Sequence, residues 1–381
     1  MTLTPTHIIS EVSLRAALLP LVRGLWRCEV VEGREKLLAE PCFLYGNHSN
    51  DYDPFMVNWP LPIGRCSSGV LTAEYMQEGI VAAALKGIGL LSTRKRVPEP
   101  HLIARILRLL RAGRNVLIYP EGGRRWAGRP TRWIPSTAKL FSRAGYPVRP
   151  VVTEGSYIAW PRWADWPRPA RIRVRVLDPV SLDGLSQEDA IAQLAAPIDF
   201  DENVAPEETR PLRAFRPADG IHRLLYRDPV TGEHGGLRTT DGHRITNVDG
   251  SVQWEMLPDS RIRDERTGDI LLTGDLYDTV RAMPLEPGPD GAIVRNLVTV
   301  SRGPDLRSMG SRQLRRVALH TDSVALGTDR IAHEEILFSG VEKNFKLQLT
   351  TRDEIINLEF RDDGSALQWE DALFALTEGR V

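Results

Sequence analysis

His48 and Asp53 lie five residues apart in the stretch Gly46-Asn47-His48-Ser49-Asn50-Asp51-Tyr52-Asp53-Pro54. A carboxylate that reaches one imidazole nitrogen fixes the tautomer. The other nitrogen is then free to take a proton from a hydroxyl. The surrounding residues suit this. Cys42-Phe43-Leu44-Tyr45 reads as a buried strand, and Gly46 lets the backbone turn. Asp53 then stands as an N-cap with Pro54 at the first helical position. Taken alone, His-x4-Asp is a common chance pattern, and a helix-capping loop with an incidental His explains it as well.

A second stretch adds weight. Tyr119-Pro120-Glu121-Gly122-Gly123-Arg124 follows the apolar run Asn115-Val116-Leu117-Ile118. It puts a carboxylate, a flexible backbone and a guanidinium at one strand end, where α/β sheets hold ligands. Arg is the side chain best shaped for bidentate phosphate contact.

With these stretches the chain resembles the glycerophospholipid acyltransferases, over roughly residues 30 to 180. His48 and Asp53 match that family's His-x4-Asp block. Gly89-Leu90-Leu91-Ser92-Thr93-Arg94 matches a block with Gly and a phosphate-binding Arg. Glu121, Gly122 and Arg124 match Pro-Glu-Gly-Thr-Arg, and Val148-Arg149-Pro150-Val151-Val152 matches an apolar strand carrying Pro. Three departures bear on the acceptor head group more than on the reaction. Gly123 replaces the usual Thr, no Asp precedes Arg94, and Asp51 is an extra acid.

The resemblance implies an α/β domain with a mixed, largely parallel sheet and helices on both faces. His48 would be the general base and Asp53 its partner. Arg124 and Arg94 would clamp a phosphate, Glu121 would orient Arg124 or a substrate hydroxyl, and Gly122, Gly123 and Pro150 would line the substrate. It implies an acyl thioester donor (acyl-coenzyme A or acyl carrier protein) and a lysophospholipid acceptor, foremost 1-acylglycerol-3-phosphate. No cofactor and no metal are implied. Two alternatives stay open. One is the same chemistry on a natural-product or glycolipid hydroxyl. The other is a non-catalytic protein that binds lipid or acyl carrier.

The formal charge of −1 hides an asymmetry: residues 91 to 175 hold 19 Lys or Arg against 4 acids, so that part is +15 and the rest −16. A basic half points to an anionic partner, here a membrane surface rather than nucleic acid, for which no module is evident. Cys28, Cys42 and Cys66 show no metal or disulfide spacing and read as buried residues in a reducing compartment. Neither a signal peptide nor a membrane-crossing run is expected, which suggests a cytoplasmic protein at the inner face of a membrane.

Residues 8 to 26 form an amphipathic pattern broken at Pro20, which fits an in-plane membrane helix or a helix packed on the core. His101 to Ala112 is a second amphipathic helix. Trp126, Trp133, Trp160, Trp163 and Trp166, interleaved with Arg, suit a membrane interface. Arg171 to Val176 reads as an edge strand, and residues 201–212 as a polar linker. The expected domains are 1–200, acyltransferase; 213–280, β-hairpins resembling a zinc ribbon in which Asp228/Thr231 and Thr246/Asp249 stand for the cysteines; and 287–381, a small β barrel or sandwich with a C-terminal helix, resembling the pleckstrin-homology superfold.

Overall fold

The computed structural model describes residues 4–72, 79–93, 99–361 and 364–377. They fall into two compact units, one of Met1–Arg162 with Pro167–Phe215 and one of Trp163–Trp166 with Arg216–Val381.

The first unit is built on a sheet of β1 (Glu29–Glu32), β2 (Phe43–Gly46), β3 (Ser68–Thr72), β4 (Leu91–Thr93), β5 (Val116–Ile118), β6 (Val148–Glu154) and β7 (Arg173–Val176). Their order is β1-β7-β6-β2-β5-β3-β4. Every neighbouring pair is parallel except β6 with β7. This is the mixed, largely parallel sheet that the sequence implies.

Alternation along the strands makes two cores. Leu44, Leu117, Val151, Val174 and Val176 face one side and meet Val22, Trp26, Met56 and Val57. Phe43, Tyr45, Val116, Val148 and Val152 face the other and meet Ile106, Leu110, Ala138, Phe141 and Leu194. The helices of this unit are α1 (Pro5–Leu19), α2 (Lys36–Ala39), α3 (Asp53–Asn58), α4 (Ile80–Gly87), α5 (Pro100–Arg111), α6 (Pro135–Arg143), α7 (Ser156–Ala159) and α8 (Gln187–Ala195), with a π-helical turn at Pro20–Leu25.

α1 has an unusual sidedness. Its buried residues are the polar His7, Ser10 and Glu11, while Ile8, Ile9, Val12 and Leu19 are exposed. Glu11 explains the inward polar face, because it accepts Arg15 Nε at 2.9 Å and the Gly64 N–H at 2.7 Å. The π turn and Trp26 enter the core instead. The reading of a segment packed on the core thus holds for the second part of residues 8–26.

Three expectations are corrected. β7 is not an edge strand: it lies between β1 and β6, and its Arg175 face is covered by a 2.7 Å contact to Glu32 of β1. Residues 201–212 are not a free linker, since short 3-10 turns at Glu202–Val204 and Glu207–Thr209 pack them into the first unit. The Trp and Arg stretch is mostly interior: Trp126, Trp133 and Trp163 are buried, as are Arg125, Arg162 and Arg168, and Trp166 alone of the five tryptophans is exposed.

The second unit is mostly antiparallel. Strands β8 (Arg238–Thr240), β9 (Arg244–Thr246), β10 (Gln253–Met256), β11 (Arg261–Asp264) and β12 (Ile270–Leu272) form a meander. Helix α9 (Thr273–Ala282) follows. Strands β13 (Ala292–Gly303), β14 (Gln313–His320), β15 (Ser323–Leu326), β16 (Asp329–Ala332), β17 (Phe338–Glu342), β18 (Lys346–Thr350) and β19 (Ile355–Glu359) form a second sheet, ordered β16-β15-β14-β13-β19-β18-β17. Helix α10 (Ala366–Leu376) closes the unit through buried Trp369, whose indole N–H reaches Asn296 Oδ1 at 2.8 Å. The two ribbon-like turns are joined by hydrogen bonding. Buried Asp228 accepts Thr231 Oγ1 at 2.9 Å and Asn247 Nδ2 at 2.6 Å.

Trp26 is fully buried between Tyr52 and Trp160, with ring centroids 5.6 and 6.4 Å away. Trp26→Ala is expected to lower unfolding stability by about 3–5 kcal/mol, read from the urea midpoint.

Candidate functional site

β2, β5 and β6 run parallel, so their C-terminal ends meet at one edge of the sheet. His48 follows β2, Glu121 to Arg125 follow β5, and Ser156 follows β6. β2 and β6 approach so closely that a Cβ at Gly46 would collide with the Val151 carbonyl. Past Gly46 the strands part, and Asn47 bridges them. Its side chain accepts the Thr153 N–H at 2.9 Å and donates to the Thr153 carbonyl at 3.0 Å.

His48 Nδ1 lies 3.0 Å from Asp53 Oδ2. The same oxygen accepts the backbone N–H groups of Ser49 and Asn50, each at 2.9 Å. Ser156 Oγ donates to the other carboxylate oxygen. An oxygen already accepting two N–H groups makes the imidazole the donor at Nδ1. Nε2 is then the nitrogen left for a substrate proton. Asp53 has no exposure and His48 is 18% exposed. Asp53 differs slightly from expectation: it is the first residue of α3, Tyr52 holds the cap position, and the carboxylate turns back into the loop.

Tyr119 fixes the imidazole plane from below. The rings stack at 4.0 Å and 17°. Burial, with the Asp53 charge nearby, pushes the Tyr119 hydroxyl well above its ordinary pKa.

The expected Glu121–Arg124 pairing is not what forms. Glu121 binds Arg125, with Nη2 at 2.6 Å and Nε at 2.9 Å, and accepts Thr131 Oγ1 at 2.7 Å. The Arg125 N–H donates to the His48 carbonyl at 2.7 Å, which ties the two loops. Arg124 contacts Asp51, Nε to Oδ1, at 2.9 Å. The extra acid of the first stretch is therefore a partner of Arg124. Gly122 has φ +71° and a Cβ there would strike Ile134, whereas a Cβ at Gly123 meets nothing closer than Arg162 at 4.0 Å. Pro150 lies buried in β6, in register with Tyr45. Arg94 lies outside the described residues.

Sequence reasoning missed Glu202. It is fully buried and accepts Ser49 Oγ at 2.5 Å, Arg125 Nη1 at 3.3 Å and the Tyr157 N–H at 3.3 Å. Burial raises its carboxyl from 4.5 to about 7, against the pull of Arg125. No local pattern marks it. Among the described residues, one His/Cys/Asp/Glu group is compact enough for a metal, His7, Glu11 and Cys66.

Glu202 generates a prediction about stability. Its folded-state pKa lies above 4.5, so its contribution is complete below pH 4.5 and is lost as pH rises through about 7. Arg125 pairs with it and the Asp53 carboxylate lies near it in both proteins. The Glu202→Gln protein is therefore expected to lose less stability than wild type between about pH 5 and pH 8, read as the difference in urea midpoints.

Residues 29–154 match the family model described as acyltransferase. The 1-acyl-sn-glycerol-3-phosphate acyltransferase of Limnanthes alba is 24% identical over 160 residues, 40% of this chain and 54% of that protein. The enzyme of the same name from Pseudomonas aeruginosa is 29% identical over 146 residues, 36% of this chain and 54% of that protein. The chain spans about half the length of these relatives. A crystal structure of the 1-acyl-sn-glycerophosphate (LPA) acyltransferase PlsC of Thermotoga maritima aligns at 17% identity and TM-score 0.37, over 49% of this chain and 80% of that one.

Proposed function

We propose that this chain, whose residues 29–154 match the acyltransferase model, is an O-acyltransferase with His48 as general base. The observation that carries this is the buried Asp53 carboxylate on His48 Nδ1, at the strand edge that also bears Glu121 and Arg124. An acceptor hydroxyl beside Nε2 gives up its proton as its oxygen attacks the thioester carbonyl. The C–O bond forms and the C–S bond breaks. The leaving thiolate takes the proton from the imidazolium, whose charge Asp53 stabilises. General-base help of this kind is worth roughly 10²–10⁴-fold.

Acyl-coenzyme A or acyl carrier protein is the proposed donor. The activity for which the relatives are named supports 1-acylglycerol-3-phosphate as acceptor, with Arg124 and Arg94 on its phosphate. The Asp51–Arg124 contact favours a second reading, in which the acceptor hydroxyl belongs to a molecule without a phosphate at that point. A membrane surface is the proposed source of acceptor. Among the described residues no helix is long and apolar enough to cross a membrane, and the outward Ile8, Ile9 and Val12 of α1 suit contact in the plane of one.

The test is thiol release and acyl-acceptor formation on vesicles carrying lysophosphatidate or a neutral monoacylglycerol. Wild type is expected to turn over and His48→Ala to lose at least about 10²-fold in kcat. A His48→Ala protein with full activity would end the proposal. Asp51→Asn separates the acceptors. If the phosphate must displace Asp51, the variant is expected to lower KM for lysophosphatidate several-fold and leave the neutral acceptor unchanged. Equal KM values for both proteins would show that Asp51 does not guard Arg124.

A further inference from the structure

We infer that Glu202 is a positioning residue for His48, clamping together the three loops that hold the His48–Asp53 pair. The inference rests on the acyl-transfer reading for its kinetics and on geometry for its basis. Its carboxylate takes one hydrogen bond from each loop. Ser49 Oγ, from the residue next to His48, donates at 2.5 Å. Arg125 Nη1 donates at 3.3 Å, and the N–H of that same residue holds the His48 carbonyl at 2.7 Å. The Tyr157 N–H donates at 3.3 Å, next to Ser156, whose hydroxyl donates to Asp53.

Glu202 is itself held in place. The Glu202 N–H donates to the Gly128 carbonyl at 2.8 Å. Neighbouring Asn203 donates to the Ala127 carbonyl at 2.7 Å, and Asp201 accepts Arg129 at 3.0 Å. The turn is therefore docked on the loop after β5 on both sides of the carboxylate. A general base works only when its nitrogen lies within hydrogen-bond reach of the proton it takes, and displacement by 1 Å costs on the order of 10²-fold. Beyond the Arg125 N–H on the His48 carbonyl and the Arg124–Asp51 contact, the first loop is joined to the loop after β5 through Glu202. Glu202 joins them through two side chains at once.

A purely structural role predicts something different: lost stability with an unchanged active site in whatever remains folded. Glu202→Gln keeps an acceptor for Ser49 and Arg125, while Glu202→Ala removes all three contacts. Ser49→Ala removes the shortest of them and leaves the carboxylate and its docking intact. The full chain and these three variants would be compared by kcat and KM at fixed vesicle composition, and by the Nδ1–H resonance of His48 in 15N-histidine-labelled protein.

Glu202→Ala is expected to lose on the order of 10²-fold in kcat with KM within about threefold, and to shift or broaden the His48 resonance. Ser49→Ala should show the same pattern to a smaller degree, and Glu202→Gln should recover kcat to within about threefold of wild type. A folded Glu202→Ala or Ser49→Ala protein with wild-type kcat and an unmoved His48 resonance overturns the inference. Failure of wild type to transfer acyl groups from any donor would sink the reading in the previous subsection. The His48 resonance would still decide the positioning role.

Discussion

The site depends on one requirement, that a carboxylate buried at Asp53 have its lone pairs satisfied without water. A charge in a dry position is costly unless it is fully hydrogen-bonded. Asp53 meets the demand with two backbone N–H groups, a serine hydroxyl and the His48 imidazole. Each donor comes from a fixed element. The loop after β2 must fold tightly enough to aim consecutive N–H groups at one oxygen, and the turn after β6 must bring Ser156 across. The parallel pairing of β2 with β6, and the Asn47 bridge to Thr153, set that distance. Nδ1 protonation of the imidazole is a product of the same constraint.

A second buried charge group lies behind the first. Arg125 sits between Glu121 and Glu202, so two carboxylates share one guanidinium. Coulomb attraction in a poorly screened interior holds such a group together, yet an excess negative charge there is unfavourable. Burial first, and then the nearby Asp53 charge, raise Glu202 to about 7 against the pull of Arg125, and its protonated form leaves the Glu121–Arg125 pair matched.

Much of the first unit was legible in the sequence because its signals are local. The strand, the Gly46 turn, His48, Asp53 and Pro54 fall within a dozen residues, and α5 shows its apolar face directly, with Ile106 and Leu110 buried as the periodicity requires. Partner choice among neighbouring arginines was not legible. Arg124 and Arg125 are adjacent, yet in the folded turn the first meets Asp51 and the second Glu121. The tryptophans misled for a related reason. Trp beside Arg has the composition of a membrane interface, but a guanidinium stacked on an indole, as Arg162 is on Trp126 at 4.2 Å, also suits an interior. β7 looked like an edge because its Arg173 and Arg175 alternate with valine. In the sheet those arginines face acids, Glu154 and Glu208 for one and Glu32 and Glu154 for the other. Glu202 was out of reach altogether, since it is 153 residues from Ser49 and its segment shows no apolar period.

The return of residues 201–215 to the first unit gives the chain a hidden seam. All four of the short stretches that mark the domain end by Val152, and a shortened protein cut at Phe200 would retain them. It would nevertheless lack the carboxylate opposite Ser49, leave Arg125 with half its counter-charge, and open the Gly128 carbonyl to solvent. The boundary that matters here is therefore set by where hydrogen bonds close, some distance downstream of where the recognisable pattern stops. A shuffled or transplanted domain would have to carry this strap with it in order to keep the His48–Asp53 pair in place.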